Sequence, residues 1–495
     1  MDTNLIITSL IFLPLIASVF LYIDTLFNKN YTNVIFFFVS ILQMLIGIFI
    51  WSNFQINYPY FQFEEKFIWF KKWNIYYSLG IDSFSIYLIL LTIFLIPICV
   101  FVGFKYIQKG RSLFVSLFLI LESFIIGLFA AKDLFLFYIF FEASLIPIYF
   151  IIGIWGDSNR IYASIKFFLY TLFGSIFMLM SIAYILTTEK TSDISELTQI
   201  LQYYPLRAQK MLWIAFFISF AIKIPLWPLH TWLPDAHVSA PTSGSMVLAG
   251  ILLKVGGYGI LRFNVSMFPQ ISILFSNHVI LLGIIAVIYT SIVALMQDNI
   301  KRMIAYSSIA HMGYVVVGIF TFQTIGIQGA IFQMISHALI SSGLFLCVGI
   351  LYEQTNTKQI MFFQGLAEKM PKFSVLFTLF IMSSIALPLT SGFIGEFLII
   401  VAALKVKILY GGLLLSGMIL SAIYMLWLYI RIVFGKTNLV VQSLKEIKRE
   451  DRIILSLIAI IIIILGIYPK IIHDYTLSTI TELLNIINIS IIGKL

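Results

Sequence analysis

Long apolar runs recur along the whole chain, separated by short polar stretches. They are continuous, as in IILSLIAIIIIILGIY, unlike the alternating runs of about 10 residues that build a membrane β-barrel. A helix crosses a bilayer with about 20 apolar residues. Windows of that kind predict fourteen spans: 4–23, 31–52, 81–104, 112–131, 133–153, 161–187, 211–234, 241–264, 277–296, 302–322, 326–350, 373–404, 410–434 and 453–470. The tail 471–495 is less apolar and reads as an amphipathic helix along the membrane surface, with a fifteenth span as the alternative.

Two spans carry breaks. The seventh contains IKIPLWPLHTWLP and the twelfth IALPLTSGFIGEF. Proline lacks a backbone donor and clashes with the preceding turn. Both segments share I-x-x-P-L, at Ile222–Leu226 and Ile385–Leu389, five spans apart. Paired interruptions in two halves indicate an internal repeat around a buried ion path, and an odd repeat of five spans is inverted in the membrane. The expected fold is an all-α polytopic membrane protein with two inverted five-helix repeats, spans 4–8 and 9–13. The division is 1–110 for the first three spans, 111–264 and 265–436 for the repeats, and 437–495 for the last span and tail.

Composition agrees. The 495 residues are 61% hydrophobic and 11% charged, against about 45–50% and about 25% in soluble chains. A water-soluble chain is excluded. Cys99 and Cys347 both lie inside apolar runs and cannot build a disulfide or metal framework. The net charge of +9 fits loop orientation rather than nucleic acid binding. Lys and Arg favour the connections after odd-numbered spans, which puts both termini on the side where protons accumulate. The N-terminal segment lacks a basic leader and reads as a full span rather than a cleavable signal. Frequent Phe, Ile, Asn and Lys, all encoded by AT-rich codons, hint at an organellar genome.

The chemistry sits in a few charges placed where charge is expensive. Glu122, Glu142, Lys223, Lys254 and Glu396 all fall inside apolar spans. Each costs about 2.5–3.5 kcal/mol at mid-bilayer on insertion scales, so each must be paired, hydrated or neutral. Glu142 is a partner for a lysine, with a hydrogen-bonded neutral carboxyl as the plainer alternative. Lys223 stands two residues before Pro225, where the break frees backbone carbonyls. Lys254, in ILLKVGGYG, is equally central, beside glycines that let helices approach. A buried lysine responds to its carboxylate: remove the carboxylate and the proton leaves. Glu396 follows the second break. His311 and His337 lie in spans 10 and 11 and can relay protons, or serve simply as hydrogen-bonded core residues. Glu122 and His230 are further candidates. No phosphate loop, dinucleotide fingerprint or cysteine cluster occurs, so no cofactor or metal is expected on this chain.

FAIKIPLWPLHTWLPDAHVSAPTSGSMVLAGILLKVGGYGILRF, at residues 220–263, resembles the signature of the antiporter-like subunits of respiratory complex I. IAYSSIAHMGY, SHALISSGLFLCVGILYEQ and SGFIGEFLI narrow the resemblance to the chain 4 branch of NADH–ubiquinone oxidoreductase, which has a glutamate on the twelfth span where the chain 5 branch has lysine. The resemblance covers roughly 80–460. It implies a proton-translocating module without a redox centre of its own. NADH, FMN, iron–sulfur clusters and ubiquinone would be used in other subunits. It implies Glu142–Lys223 as the carboxylate–lysine pair, Lys254 as the central lysine, and His311 and His337 as a relay to Glu396. Neighbouring antiporter-like subunits and membrane lipids are the expected partners, in the mitochondrial inner membrane or, as the alternative, a bacterial plasma membrane. The rival function is a subunit of a multi-subunit monovalent cation/proton antiporter.

Overall fold

The computed structural model describes residues 5–27, 31–107 and 109–492. The chain is an almost entirely helical polytopic membrane protein. Among the described residues, eleven helices are long and apolar enough to cross a membrane, or twelve if the bent pair Arg449–Ile467 and Lys470–Ile489 is one span. The fourteen expected from the sequence differ from this count at the interrupted spans. Leu206–Lys223 carries Arg207, Lys210 and Lys223, and span 12 is split into Pro371–Ser384 and Ser391–Val406.

Contacts divide the chain into two compact units. One comprises Met1–Lys223, Lys254–Phe275 and Tyr475–Leu495; the other comprises Ile224–Leu253 and Ser276–Asp474. Two of the four boundaries fall at Lys223 and Lys254, so the link between these lysines belongs to the second unit and the lysines to the first.

Within the first unit the connections after even-numbered spans meet one another. A two-stranded antiparallel hairpin, β1 (Gln62–Phe70) and β2 (Ile75–Ile81), stands where the sequence reading placed only a connection. Its chain reverses through Asn74, a residue that tolerates the left-handed conformation (φ 47°). Glu65 of β1 accepts from the Ile7 and Thr8 amides at 2.7 and 3.1 Å. It thereby caps the first helix, Ile6–Phe27, where free N–H groups favour an anion. Asp133 caps span 5 from the Phe135 and Leu136 amides, at 2.9 and 3.0 Å, and also accepts from Tyr76 of β2 at 3.2 Å. The tail helix Lys470–Ile492 turns 61° from the preceding helix. It docks by Tyr475 against Trp51, Phe54 and Tyr87, and by Ser478 and Thr479 donating to the carbonyls of Ile56 and Pro59.

Within the second unit the connections after odd-numbered spans meet. Ile300 N–H donates to Lys358 O at 2.9 Å, Gly365 N–H to Phe434 O at 3.0 Å, and Lys445 N–H to the Gln354 side chain at 2.9 Å.

One charge pair fixes span 8 in the first unit. Arg262 and Asp82 are both buried and directly hydrogen-bonded, and Tyr258 accepts from Arg262 Nε at 3.3 Å. Breaking a buried pair by deleting one partner costs about 3–5 kcal/mol. Arg262→Met is therefore expected to lower stability by that amount, against little change in Arg302→Met, whose pair with Asp235 is half-exposed. Thermal unfolding of the detergent-solubilised chain measures both.

Candidate proton-relay sites

In the first unit, three of the expected residues lie beside helix irregularities. Lys223 is the last residue of Leu206–Lys223, so its turn is the one left open by the break at 224–231. Lys254 lies in a short α-segment, Leu253–Gly259, between two π-helical stretches, Leu248–Leu252 and Ile260–Val265. Such widened turns are frequent at functional positions because they leave carbonyls less well satisfied. Gly259 is needed there, since a Cβ would overlap the Phe220 ring.

Glu142 lies within span 5, Leu134–Trp155, as expected, but that span is two helices, Leu134–Ala143 and Leu145–Trp155, meeting at Ser144. Pro147 explains it, because it cannot donate to the carbonyl of Ala143 four residues back. The carboxylate is thus one residue from an interruption.

Glu142 and Lys223 attract each other electrostatically, and Ser175 faces the carboxylate. They make no direct salt bridge. Among the described residues, Glu142 Oε1 and Lys223 Nζ have no hydrogen-bond partner. The Lys223 ammonium instead lies 4.8 Å from the centre of the Phe141 ring and 6.0 Å from that of Phe167. Aromatic faces soften a cation's desolvation, but they neither accept nor relay a proton. Buried polar atoms left without a direct partner are where bound water enters. Lys223 is 1% exposed and Lys254 0%, so neither snorkels to the membrane surface.

Glu122 is also fully buried in the first unit. Its neighbour is Gln43 of span 2, which donates to both carboxylate oxygens at 3.3 Å when its amide nitrogen faces them. That is a self-contained arrangement, without a lysine in it.

In the second unit the contacts are tighter. His311 Nδ1 lies 2.6 Å from Glu396 Oε1, and its Nε2 lies 3.4 Å from Ser384 Oγ. Ser384 ends the first half of span 12 and Glu396 is on the second, so one imidazole bridges the break. At 2.6 Å this is a short hydrogen bond whose donor depends on the imidazole tautomer. Gln333 Nε2 donates to the same Oε1 at 3.1 Å. It comes this close because residue 395 is glycine: a Cβ there would stand 2.8 Å from that of Gln333. The His337 ring is 5.5 Å from that of His311. His311, His337, Gln333, Glu396, Ser307 and Ser384 line a cavity of about 10 Å³, room for the centre of one water. His230 is not among its lining residues. It is buried beside Tyr289 and Tyr306, with ring centres at 6.0 and 6.4 Å.

Comparison with known proteins fits this geometry. Residues 131–423 match the family described as NADH:quinone oxidoreductase/Mrp antiporter, TM. The chain belongs to that family. It is similar to NADH-quinone oxidoreductase subunit M of Rickettsia prowazekii, 46% identical over 94% of this chain and 96% of the relative. It is likewise similar to NADH-ubiquinone oxidoreductase chain 4 of Marchantia polymorpha, 42% identical over 96% of each. Among solved structures, a chain of respiratory complex I from Thermus thermophilus with bound NADH superposes with a TM-score of 0.84 at 27% identity, covering 97% of this chain and 99% of that one. A chain of the Mrp complex from Dietzia sp. DQ12-45-1b reaches 0.86 at 18% identity, over 98% and 99%, which shows the shared fold.

The sequence reading placed Glu396 next to a break and named His311 as a relay residue; their contact is a product of folding. It missed Gln333, whose polarity inside the apolar run of span 11 was a visible signal. Removing this donor leaves the buried carboxylate with fewer partners, a loss of about 1–3 kcal/mol. Gln333→Met is therefore expected to lower stability within that range. A double-mutant cycle with Glu396→Gln, followed by thermal unfolding, is expected to give a non-additive pair.

Proposed function

We propose that this chain is a proton-translocating membrane subunit of an NADH:quinone oxidoreductase, driven by NADH oxidation and quinone reduction in other subunits. The observation that carries the reading is the coincidence of family and chemistry. Relatives over 40% identical across nearly the whole chain bear oxidoreductase names, and every candidate titratable side chain in the relay is present and largely withdrawn from the surface. In this reading NADH, FMN, iron–sulfur clusters and ubiquinone stay with other subunits. Neighbouring antiporter-like subunits and lipids are the partners.

The relay consists of Glu142, Lys223, Lys254, His337, His311 and Glu396. When Glu142 is drawn away from Lys223, the lysine loses its counter-charge and repels Lys254. Repulsion between like charges in a low-dielectric interior lowers the proton affinity of each. Lys254 then releases its proton toward the histidines, and Glu396 receives it. Glu142 and Lys223 stand near enough to interact yet do not touch, which supports a pair that opens at small cost. Gln43 supports a structural role for Glu122, and His230 is best read as lining the break in span 7.

Monovalent cation/proton exchange is the second reading. The family description names both activities, and the Mrp chain shares the fold at 18% identity. The oxidoreductase names of the relatives above 40% identity favour the first. For location, the abundance of Phe, Ile, Asn and Lys and the chain 4 relatives support the mitochondrial inner membrane, while the Rickettsia relatives support a bacterial plasma membrane.

The experiment is Glu142→Gln and Lys223→Met in the assembled complex, reconstituted in vesicles. Both are expected to lower the proton-to-electron ratio while quinone reductase turnover persists. An unchanged ratio at full turnover overturns the relay. Cation exchange in vesicles without NADH, abolished by the same changes, establishes the second reading instead.

A further inference from the structure

Buried Lys301 takes no part in the relay, yet it is 1% exposed, at the start of span 10. Its ammonium donates to the carbonyl of Ala240 at 2.9 Å and reaches Ser245 Oγ at 3.4 Å. Ala240 directly follows the half-helix Trp232–Ser239, the part of span 7 beyond its break. Ser245 Oγ in turn donates to the carbonyls of His237 and Pro241, at 3.0 and 3.3 Å. Two further cations hold the same half-helix. Lys358 Nζ donates to the Val238 carbonyl at 2.8 Å, and Arg302 pairs with Asp235 at 2.9 Å. Burial pushes the Lys358 ammonium down to about 8, so placing it there has a desolvation cost. The last carbonyls of a helix are unsatisfied and carry the negative end of its dipole, so cations there are favourable. Two cations from the first turn of span 10 and one from the connection after span 11 thus converge on one eight-residue helix and the residue that follows it.

The position in the chain gives this clasp its consequence. The half-helix lies in Ile224–Leu253, the link whose flanking residues are Lys223 and Lys254. The link packs with the second unit, and its corner at Ala240–Ser245 is where Lys301 attaches. We propose that Lys301, seconded by Lys358 and Arg302, is a positioning residue for proton transfer, anchoring the half-helix so that the link between Lys223 and Lys254 keeps a fixed geometry. It acts through the backbone of the link. The proposal rests on the relay reading, because only a lysine-to-lysine transfer depends on that geometry.

Losing a charge-assisted hydrogen bond shifts an anchored-to-released ratio by about tenfold. The test uses Lys301→Met, Lys301→Arg and Lys358→Met in the assembled complex, with Lys223→Met in parallel. Proton-to-electron ratio and quinone reductase rate are measured in vesicles, and assembly is checked by native gel. Lys301→Met is expected to lower the ratio with reductase turnover retained. Lys301→Arg is expected to restore it, and Lys358→Met to lower it less. Should Lys301→Met fail to assemble, Lys358→Met decides: a normal ratio there overturns the proposal. A normal ratio in Lys301→Met alongside a lowered one in Lys223→Met overturns the anchor and leaves the relay standing. A normal ratio in Lys223→Met removes the relay and the anchor with it.

Discussion

A charge buried in an apolar bundle needs polar groups that the bundle does not spend on itself. An unbroken helix satisfies its own carbonyls and offers none. This constraint organises the structure: the intramembrane charges of the relay stand where a helix has been interrupted. Lys223 closes a helix at a proline break, and Lys254 sits between two widened turns. Glu142 is one residue from the Ser144 discontinuity, and Glu396 follows the break of span 12. The interruptions stand next to these charges, and Lys223 Nζ and Glu142 Oε1, buried without a direct partner among the described residues, are atoms that bound water could satisfy. Ala386 and Leu389 at the span 12 break even adopt the left-handed region, at φ 59° and 73°, a conformation that costs non-glycine residues of order 1–3 kcal/mol. The surrounding helices must over-determine that loop for it to persist.

Much of this was legible in the chain. Apolar length fixes the spans, and Pro225 and Pro388 mark two breaks at matching places. Glu142, Lys223, Lys254 and Glu396 stand out because a lone charge in such a run is rare. The rest required folding. Pro147 was as visible as the other prolines, yet it leaves a gap of only one residue, which sequence pattern does not separate from a tolerated kink. The π-helical turns around Lys254 have no residue signature at all. The hairpin was hidden inside a connection because FEEKFIWF mixes charge with aromatics rather than alternating cleanly. Contacts across long separations, such as His311 with Glu396 or Lys301 with Ala240, are set by packing of helices distant in sequence.

The two units bury an acid beside a base in different ways. In the second unit His311 and Glu396 touch, Gln333 supports the carboxylate, and a polar cavity with room for one water adjoins them. Deleting either partner would leave the other a costly buried polar group. In the first unit Glu142 and Lys223 attract without contact, and aromatic rings occupy the lysine's near surroundings. Rings give the ammonium attraction but no place to pass a proton. A modest separation of Glu142 therefore changes the charge balance at Lys223 without breaking a direct hydrogen bond between the two. The residues of the proposed relay thus include one acid–base pair held by direct contact and one that is not.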